Sequence, residues 1–374
     1  MENRENTMIM FLCSYQAPYG GNFVPSLMAL EDALVLHNYN VVYVFPNEAK
    51  KRYWFQQLKV LGKKIETINF SDSKLRVLKT LCMLEQKYQT AIVHSHFVSP
   101  LVMEIFALVN PRTKVFLHVH SDFSAGKTNL KHRFRQACIY KAFAQRVRFL
   151  SVSPAFVKAN PGKVMWVPNA LAKNRIACVH TDGMEIRKKH GIHKDETFVE
   201  IFGWSPVVKG VDIAVNAVKL LSEKQDCKIK LGIVCGREMT QQKMRQWVKT
   251  NTVCTGEEKF LIYLEPVEDV FSYHEAADIL CSASRSEGFS YAILEMLSRG
   301  KRCVISDIPG ISWAKEYQTV YPFESEDINS CAQALQNAIE EGKVYSQEVE
   351  TSIALTFSID KWTEMILKAF GIEV

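Results

Sequence analysis

The sequence predicts an α/β protein built as two doubly wound parallel layers, residues 1–173 and 174–355, followed by a last helix over 356–374. Three observations carry this reading. A chain of 374 residues exceeds one ordinary core and suits two domains of similar size. Short apolar runs alternate with helical stretches along its length, the rhythm of βαβ units feeding a parallel sheet. Between the halves, residues 173–195 are polar and charged, as a linker is.

In chain order, an apolar strand at 9–15 runs into Gln16-Ala17-Pro18-Tyr19-Gly20-Gly21-Asn22, and a helix begins near Val24 with Leu27, Leu30 and Leu34 on one face. After a first strand and before a first helix, Gly21 lets the backbone approach a ligand. Further strands are expected at 41–45, 64–70, 91–95, 114–118, 147–152 and 164–167. The unbroken apolar runs Ala91-Ile92-Val93 and Val115-Phe116-Leu117 suit strands buried on both faces.

Two of these strands end in histidine pairs, His94-Ser95-His96 and His118-Val119-His120. Alternate strand residues share a face, so each pair could ligate an ion together. Neither motif holds a carboxylate or cysteine at ligand spacing, so no metal is expected there; the strand ends are read as lining a ligand cleft, with His94 and His96 structural or on its acceptor side. Residues 127–148 are basic, with Leu130, Phe134, Ala137 and Cys138 as a stripe at helical spacing. That pattern fits a solvated charged face or a peripheral contact with an anionic membrane surface. No nucleic-acid-binding motif accompanies the charge.

The second half opens with a strand at 197–203. Val211, Ala214, Val215, Val218 and Leu221 then recur at helical spacing, which puts Lys209 and Gly210 at the helix start, where a cation suits a diphosphate. Strands at 231–235 and 260–264 and a short helix over 267–277 lead to the stretch of greatest interest, 281–310. It follows a strand at 278–281 and reads as a polar loop to Phe289, a helix capped by Ser290 and stopped at Gly300, a strand at 303–306 and a turn at 307–310. Backbone amides near Gly288, Phe289 and Ser290 are donors for phosphate. Glu287 before the helix and Glu295 inside it flank the same ligand as acceptors for sugar hydroxyls. Together these features describe a nucleotide-sugar pocket. The tail carries Trp362, Met365, Ile366 and Phe370 on one helix face.

The run Ser286-Glu287-Gly288-Phe289-Ser290-Tyr291-Ala292-Ile293-Leu294-Glu295 resembles the E-x7-E signature of retaining glycosyltransferases of the GT-B fold, and its surroundings resemble family four of that class, the polysaccharide and cell-envelope type. The resemblance covers nearly the whole chain, most strongly 202–310. It implies two Rossmann-like domains facing across a cleft that holds the active site, an acceptor-side first domain onto which the terminal helix packs back, and a donor-binding second domain. The implied reaction is a hexosyl transfer with retention, from a nucleotide sugar, expected to be UDP-linked, to a sugar hydroxyl of a glycan or lipid-linked glycan in polysaccharide biosynthesis.

By the same resemblance His120 matches a residue that contacts the donor sugar and, with Glu287, is the catalytic expectation; Glu295 takes the ribose hydroxyls. Gly21, Lys209, Gly288, Phe289 and Ser290 complete the donor set. Val167-Pro168-Asn169-Ala170-Leu171 resembles a V-P-N-G turn with Ala170 in place of the glycine. Residues 203–210 resemble G-R-x-x-x-x-K-G, whose arginine and lysine clamp the pyrophosphate. Gly203, Lys209 and Gly210 match, whereas Trp204 stands where the arginine is expected, leaving Arg237 or Arg285 as substitutes. With no D-x-D motif, neither metal nor cofactor is expected. Two alternatives stay open: a sugar-nucleotide epimerase of the same fold that uses the donor alone, and a non-catalytic nucleotide-sugar-binding partner subunit.

Composition narrows the class. A hydrophobic share of 47% with 23% charged residues describes a globular chain. The first fifteen residues hold no span of the ~20 apolar residues that crosses a bilayer and no leader pattern, so a cytoplasmic chain, peripheral at most, is expected. Ten cysteines occur singly and read as reduced thiols, neither a zinc set nor a disulfide frame. Charge is split: residues 1–172 hold 22 Lys+Arg against 10 Asp+Glu, and the rest 24 against 30. One half therefore suits an anionic surface.

Overall fold

The computed structural model describes residues 7–121, 146–172, 183–224, 228–267, 270–342 and 345–373. It divides into two compact units, one of residues 1–172 with 359–374 and one of residues 173–358. Most of the basic stretch 127–148 lies outside the described residues, as do Cys138, Cys178, Cys227 and linker positions 173–182.

The first unit is a seven-stranded sheet of β1 (Thr7–Cys13), β2 (Tyr39–Pro46), β3 (Ile65–Ile68), β4 (Thr90–His96), β5 (Lys114–Val119), β6 (Val147–Ser151) and β7 (Val164–Trp166). The strands lie in the order β3-β2-β1-β4-β5-β6-β7, each pair parallel. Both faces of the central strands are buried, which is why their sequences are apolar without interruption. From β1, Ile9, Phe11 and Cys13 face helix α1 (Phe23–Leu36) and its neighbours, while Met10 and Leu12 join the core on the opposite face. The terminal helix Ile359–Phe370 brings Trp362, Ile366 and Phe370 into the first of these cores, beside Leu27, Leu30 and Leu34.

The second unit holds β8 (Thr197–Phe202), β9 (Ile229–Val234), β10 (Leu261–Leu264), β11 (Ile279–Ser282), β12 (Arg302–Ser306) and β13 (Val320–Phe323), all parallel, in the order β10-β9-β8-β11-β12-β13. In each sheet the strand order reverses once, between β1 and β4 and between β8 and β11. Loops leaving the carboxyl ends of such a pair diverge, and open α/β sheets bind ligands in the crevice this leaves. The first pair ends near Tyr15 and His96. The second ends at the two loops carrying Trp204 to Lys209 and Ala283 to Glu287.

Two local expectations shift. The helix after Ser290 spans only Tyr291–Leu297, and Gly300 follows it with φ +60°. The turn at 307–310 continues as a 3-10 helix over Pro309–Glu316. Among the described residues no helix is long and apolar enough to cross a membrane.

Candidate functional site

At the switch point of the second unit the two loops are tied to each other. The chain turns after a short helix Pro206–Lys209, passes Gly210 at φ +64°, and enters helix Val211–Ser222. A side chain at Gly210 would place its Cβ 1.9 Å from the Ala283 carbonyl oxygen, so the glycine is required by both conformation and contact. Gly310 abuts the other side of the same loop: a Cβ there would lie 1.6 Å from the Glu287 carbonyl oxygen. Between these contacts Arg285 donates its backbone N–H to Val208 (2.8 Å) and its guanidinium to Val207 (2.6 Å) and to both oxygens of Asp212 (2.9 and 2.7 Å). Arg285 is thus a strut between the loops, which removes it as a substitute for the absent clamp arginine. Arg237 stands exposed on the loop after β9.

Lys209 and Glu287 meet at this junction. The Lys209 ammonium donates to Glu287 Oε1, which also accepts from the Ser284 hydroxyl at 3.0 Å; the two charged side chains are only 14% and 13% exposed. On its other flank Lys209 Nζ sits 5.0 Å from the centre of the exposed Trp204 ring. Where an arginine was expected, the chain therefore supplies an aromatic face that holds the remaining cation in place.

Ser290 caps the signature helix, its hydroxyl accepting from the Ile293 N–H at 3.5 Å. Phe289 stacks flat on Trp313, centroids 4.6 Å apart and planes 6° apart, so its ring belongs to the core and its backbone is what remains for a ligand. With seven residues, this helix offers a weaker dipole than the longer one expected. Glu295 is buried at 5% exposure, its carboxylate 3.6 Å from His274 Nε2. The other ring nitrogen, Nδ1, is hydrogen-bonded to Glu200 Oε1, and neither His274 nor Glu200 has any exposed side-chain surface. Burial alone would depress the imidazole; the flanking carboxylates, Glu200 foremost, instead raise it to about 9, making it a cation at neutral pH. Glu295 is thus held from behind by a buried positive charge. Sequence reading missed this network. Its signal was Glu200 inside the apolar strand Phe198-Val199-Glu200-Ile201, since a buried carboxylate calls for a partner.

In the first unit, Gly21 adopts φ +56° in a loop pinned by Arg52 to Gln16 O (2.9 Å), Trp54 to Ala17 O (3.0 Å) and Tyr15 to Tyr19 O (2.8 Å). His120 is half-buried, stacked on Phe97 at 4.2 Å, and its Nε2 lies 2.9 Å from His96 Nδ1. Burial and the imidazoles of His118 and His94 hold it well below the usual histidine range, so it is neutral. His118 and His120 line a cavity of about 360 Å³ with Phe97, Val98, Leu117 and Ser121.

Residues 197–341 match the family model described as glycosyl transferases group 1. No curated protein sequence matches the chain. Among solved structures, a glycosyltransferase from Rickettsia africae ESF-5 is similar with TM-score 0.77 at 14% identity, covering 98% of each chain. Anabaena Alr3699/HepE, in its complex with UDP-glucose, has TM-score 0.75 at 14% identity, covering 97% of this chain and 99% of that one. Sucrose-phosphate synthase from Thermosynechococcus elongatus has TM-score 0.74 at 13% identity, covering 98% of each chain. The protein has the two-domain Rossmann-like GT-B fold, and its second unit carries the segment matched as a group 1 glycosyl transferase.

Proposed function

We propose that the chain transfers a sugar, with retention, from a UDP-linked donor to a hydroxyl of a glycan acceptor, as a hexosyltransferase. The observation that carries this is the Lys209–Glu287 pair joining the two loops at the switch point, with Glu295 held by His274 on the helix that follows, all inside the segment matched as group 1 glycosyl transferase. Anabaena Alr3699/HepE was solved with UDP and with UDP-glucose, and Staphylococcus aureus MnaA with UDP, which favours a uridine nucleotide on this fold. A lipid-linked acceptor in polysaccharide assembly, and a cytoplasmic chain resting on the inner face of a membrane, complete the reading; the basic first half supports them.

Chemically, the donor diphosphate draws Lys209 away from Glu287. The ammonium then offsets charge developing on the leaving group, and the freed carboxylate accepts hydroxyls of the transferred sugar. Glu295, oriented by His274, takes the ribose hydroxyls, and backbone amides from Gly288 to Ser290 add donors. His120, neutral and able to donate or accept, contacts the donor sugar. Gly21 leaves room beside the phosphate. Among the described residues no nucleophile stands out for a double displacement, so attack on the same face as departure is the route proposed.

Donor binding by calorimetry and turnover with a panel of sugar acceptors test this. Glu295→Ala should weaken UDP-sugar binding by about 1.5–3 kcal/mol, the worth of a charged hydrogen bond. Glu287→Ala should chiefly lower turnover. If both variants bind and turn over as the parent does, the site assignment fails. Tight donor binding with no turnover on any acceptor would instead favour the non-catalytic partner, a reading that Trp204 in the clamp position supports.

A further inference from the structure

The pleat of the first sheet assembles three histidines that donor chemistry does not use. His94 and His96 are alternate residues of β4 and project to one face, and the β4–β5 register sets His96 directly opposite His118. The three rings lie with centroids 4.2, 5.7 and 5.2 Å apart, and their side chains are at most 1% exposed. Both ring nitrogens of His94, Nε2 of His96 and Nδ1 of His118 are buried without a hydrogen-bond partner. One potential ligand atom from each residue falls within 4.8 Å of the other two.

The hydrogen bonds that are made fix the protons in a telling way. His118 Nε2 is 3.0 Å from the Val167 carbonyl, which can only accept, so this nitrogen carries the proton and Nδ1 of the neutral ring presents a bare lone pair to the cluster. His96 Nδ1 faces His120 Nε2 at 2.9 Å, and His120 in turn hydrogen-bonds the Asn169 side chain. With His96 as donor in that pair, its Nε2 is likewise a bare lone pair turned inward. An imidazole whose outer nitrogen donates to a carbonyl or another acceptor while its inner nitrogen is free is the arrangement found behind metal-bound histidines. A pocket meant only to be filled would do so with phenylalanines, avoiding about 1–3 kcal/mol for each unpartnered buried polar atom.

We propose that His94, His96 and His118 bind one divalent first-row transition ion of the zinc class. Three imidazole nitrogens suit zinc, cobalt or nickel and not magnesium or calcium, which take oxygen ligands. Zn–N bonds of about 2.0–2.1 Å in a tetrahedral set place ligand nitrogens roughly 3.3 Å apart, so the rings need draw in by no more than about 1.5 Å. Binding satisfies one nitrogen on each ring at once. The fourth position falls to water or a small ligand reaching His118 from the 360 Å³ cavity it lines. Its test does not depend on the transfer reaction.

The full-length protein, purified and equilibrated with Zn²⁺ or Co²⁺, is desalted and its metal content measured. The expected result is one equivalent retained, a raised melting temperature, and the intense visible bands of four-coordinate cobalt. His94→Phe, which keeps the pocket filled, should weaken Co²⁺ binding by more than the roughly 10–100-fold lost when only an outer partner of a ligand is removed. If His94→Phe does not fold, the stoichiometry and cobalt spectrum of the parent protein decide. Retention far below one equivalent by folded protein, a six-coordinate cobalt spectrum, or binding unchanged in His94→Phe would each overturn the proposal.

Discussion

Replacing His274 by glutamine removes the buried cation between Glu200 and Glu295 while keeping a polar side chain of similar reach. Because the folded protein raises this imidazole from 6.5 to about 9, it retains a proton that the unfolded chain releases. The associated stability is fully present below pH 6.5 and is lost as pH rises through 9. A displacement of that size corresponds to about 3 kcal/mol, and with no exposed side-chain surface on either His274 or Glu200, solvent screening does not reduce it much. Urea unfolding of the full chain at pH 6, 8 and 10 should therefore show the parent losing about 3 kcal/mol relative to His274→Gln across that range. At pH 6 the variant should be less stable by about 3–5 kcal/mol, because Glu200 is left buried without its counter-charge. Glu200→Gln should flatten the pH dependence in the same way. A gap between parent and His274→Gln that stays constant from pH 6 to 10 would refute the argument, since it would mean the ring is neutral throughout.

Three further outcomes follow from features of the loops and the charge. Gly210→Ala forces a Cβ into the Ala283 carbonyl at φ +64° and should lower stability by more than 1 kcal/mol while displacing Lys209, visible together as a lower melting temperature and weaker UDP binding; wild-type values for both would show the loop contact to be slack. On the proposal that Lys209 supplies the charge at the diphosphate, added Mg²⁺ or Mn²⁺ should leave the initial rate of sugar transfer within about twofold, whereas strict dependence on either ion would displace that role. The basic first half should bind vesicles containing anionic lipid and leave them as salt shortens the Debye length below ~8 Å, with Lys131, Arg133 and Arg135 to glutamine reducing the bound fraction and not UDP affinity; equal partitioning onto neutral vesicles would make the charge a solvated face.

What the sequence revealed and what it hid follow from the range of each interaction. Strand runs such as Val115-Phe116-Leu117, the Ser290 cap and the helix start at Lys209 and Gly210 are decided by a few adjacent residues, so they could be read directly. The histidine pairs were visible as pairs. Their union into one cluster depends on β4 lying beside β5 with His96 opposite His118, a register that no single strand announces. Partnerships across 78 residues between Lys209 and Glu287, or 74 between Glu200 and His274, are set by which loops leave neighbouring strands. Arg285 looked available for the same reason: its strut to Asp212 is 73 residues distant. The signature helix proper closes at Leu297, and the chain winds on through tighter turns, Arg299 N–H to Met296 O (3.0 Å) and Gly300 N–H to Leu297 O (2.9 Å), to the left-handed Gly300 that the sequence marked as the stop.

The assignment of the terminal helix to the first unit fixes a timetable for the nascent chain. The face of the first sheet that carries Phe11, Phe116 and His94 is covered in part by Phe370, and Trp362 and Ile366 belong to the same core. That cover emerges from the ribosome only after the whole of residues 173–358 has been made, a delay on the order of 10–40 s at usual elongation rates. The second unit, continuous in the chain, is free to fold as soon as it emerges, while the first stands with one side of its sheet incompletely clad. Chaperone engagement during synthesis should therefore concentrate on the first unit, whose sheet is translated ahead of the second unit and completed after it.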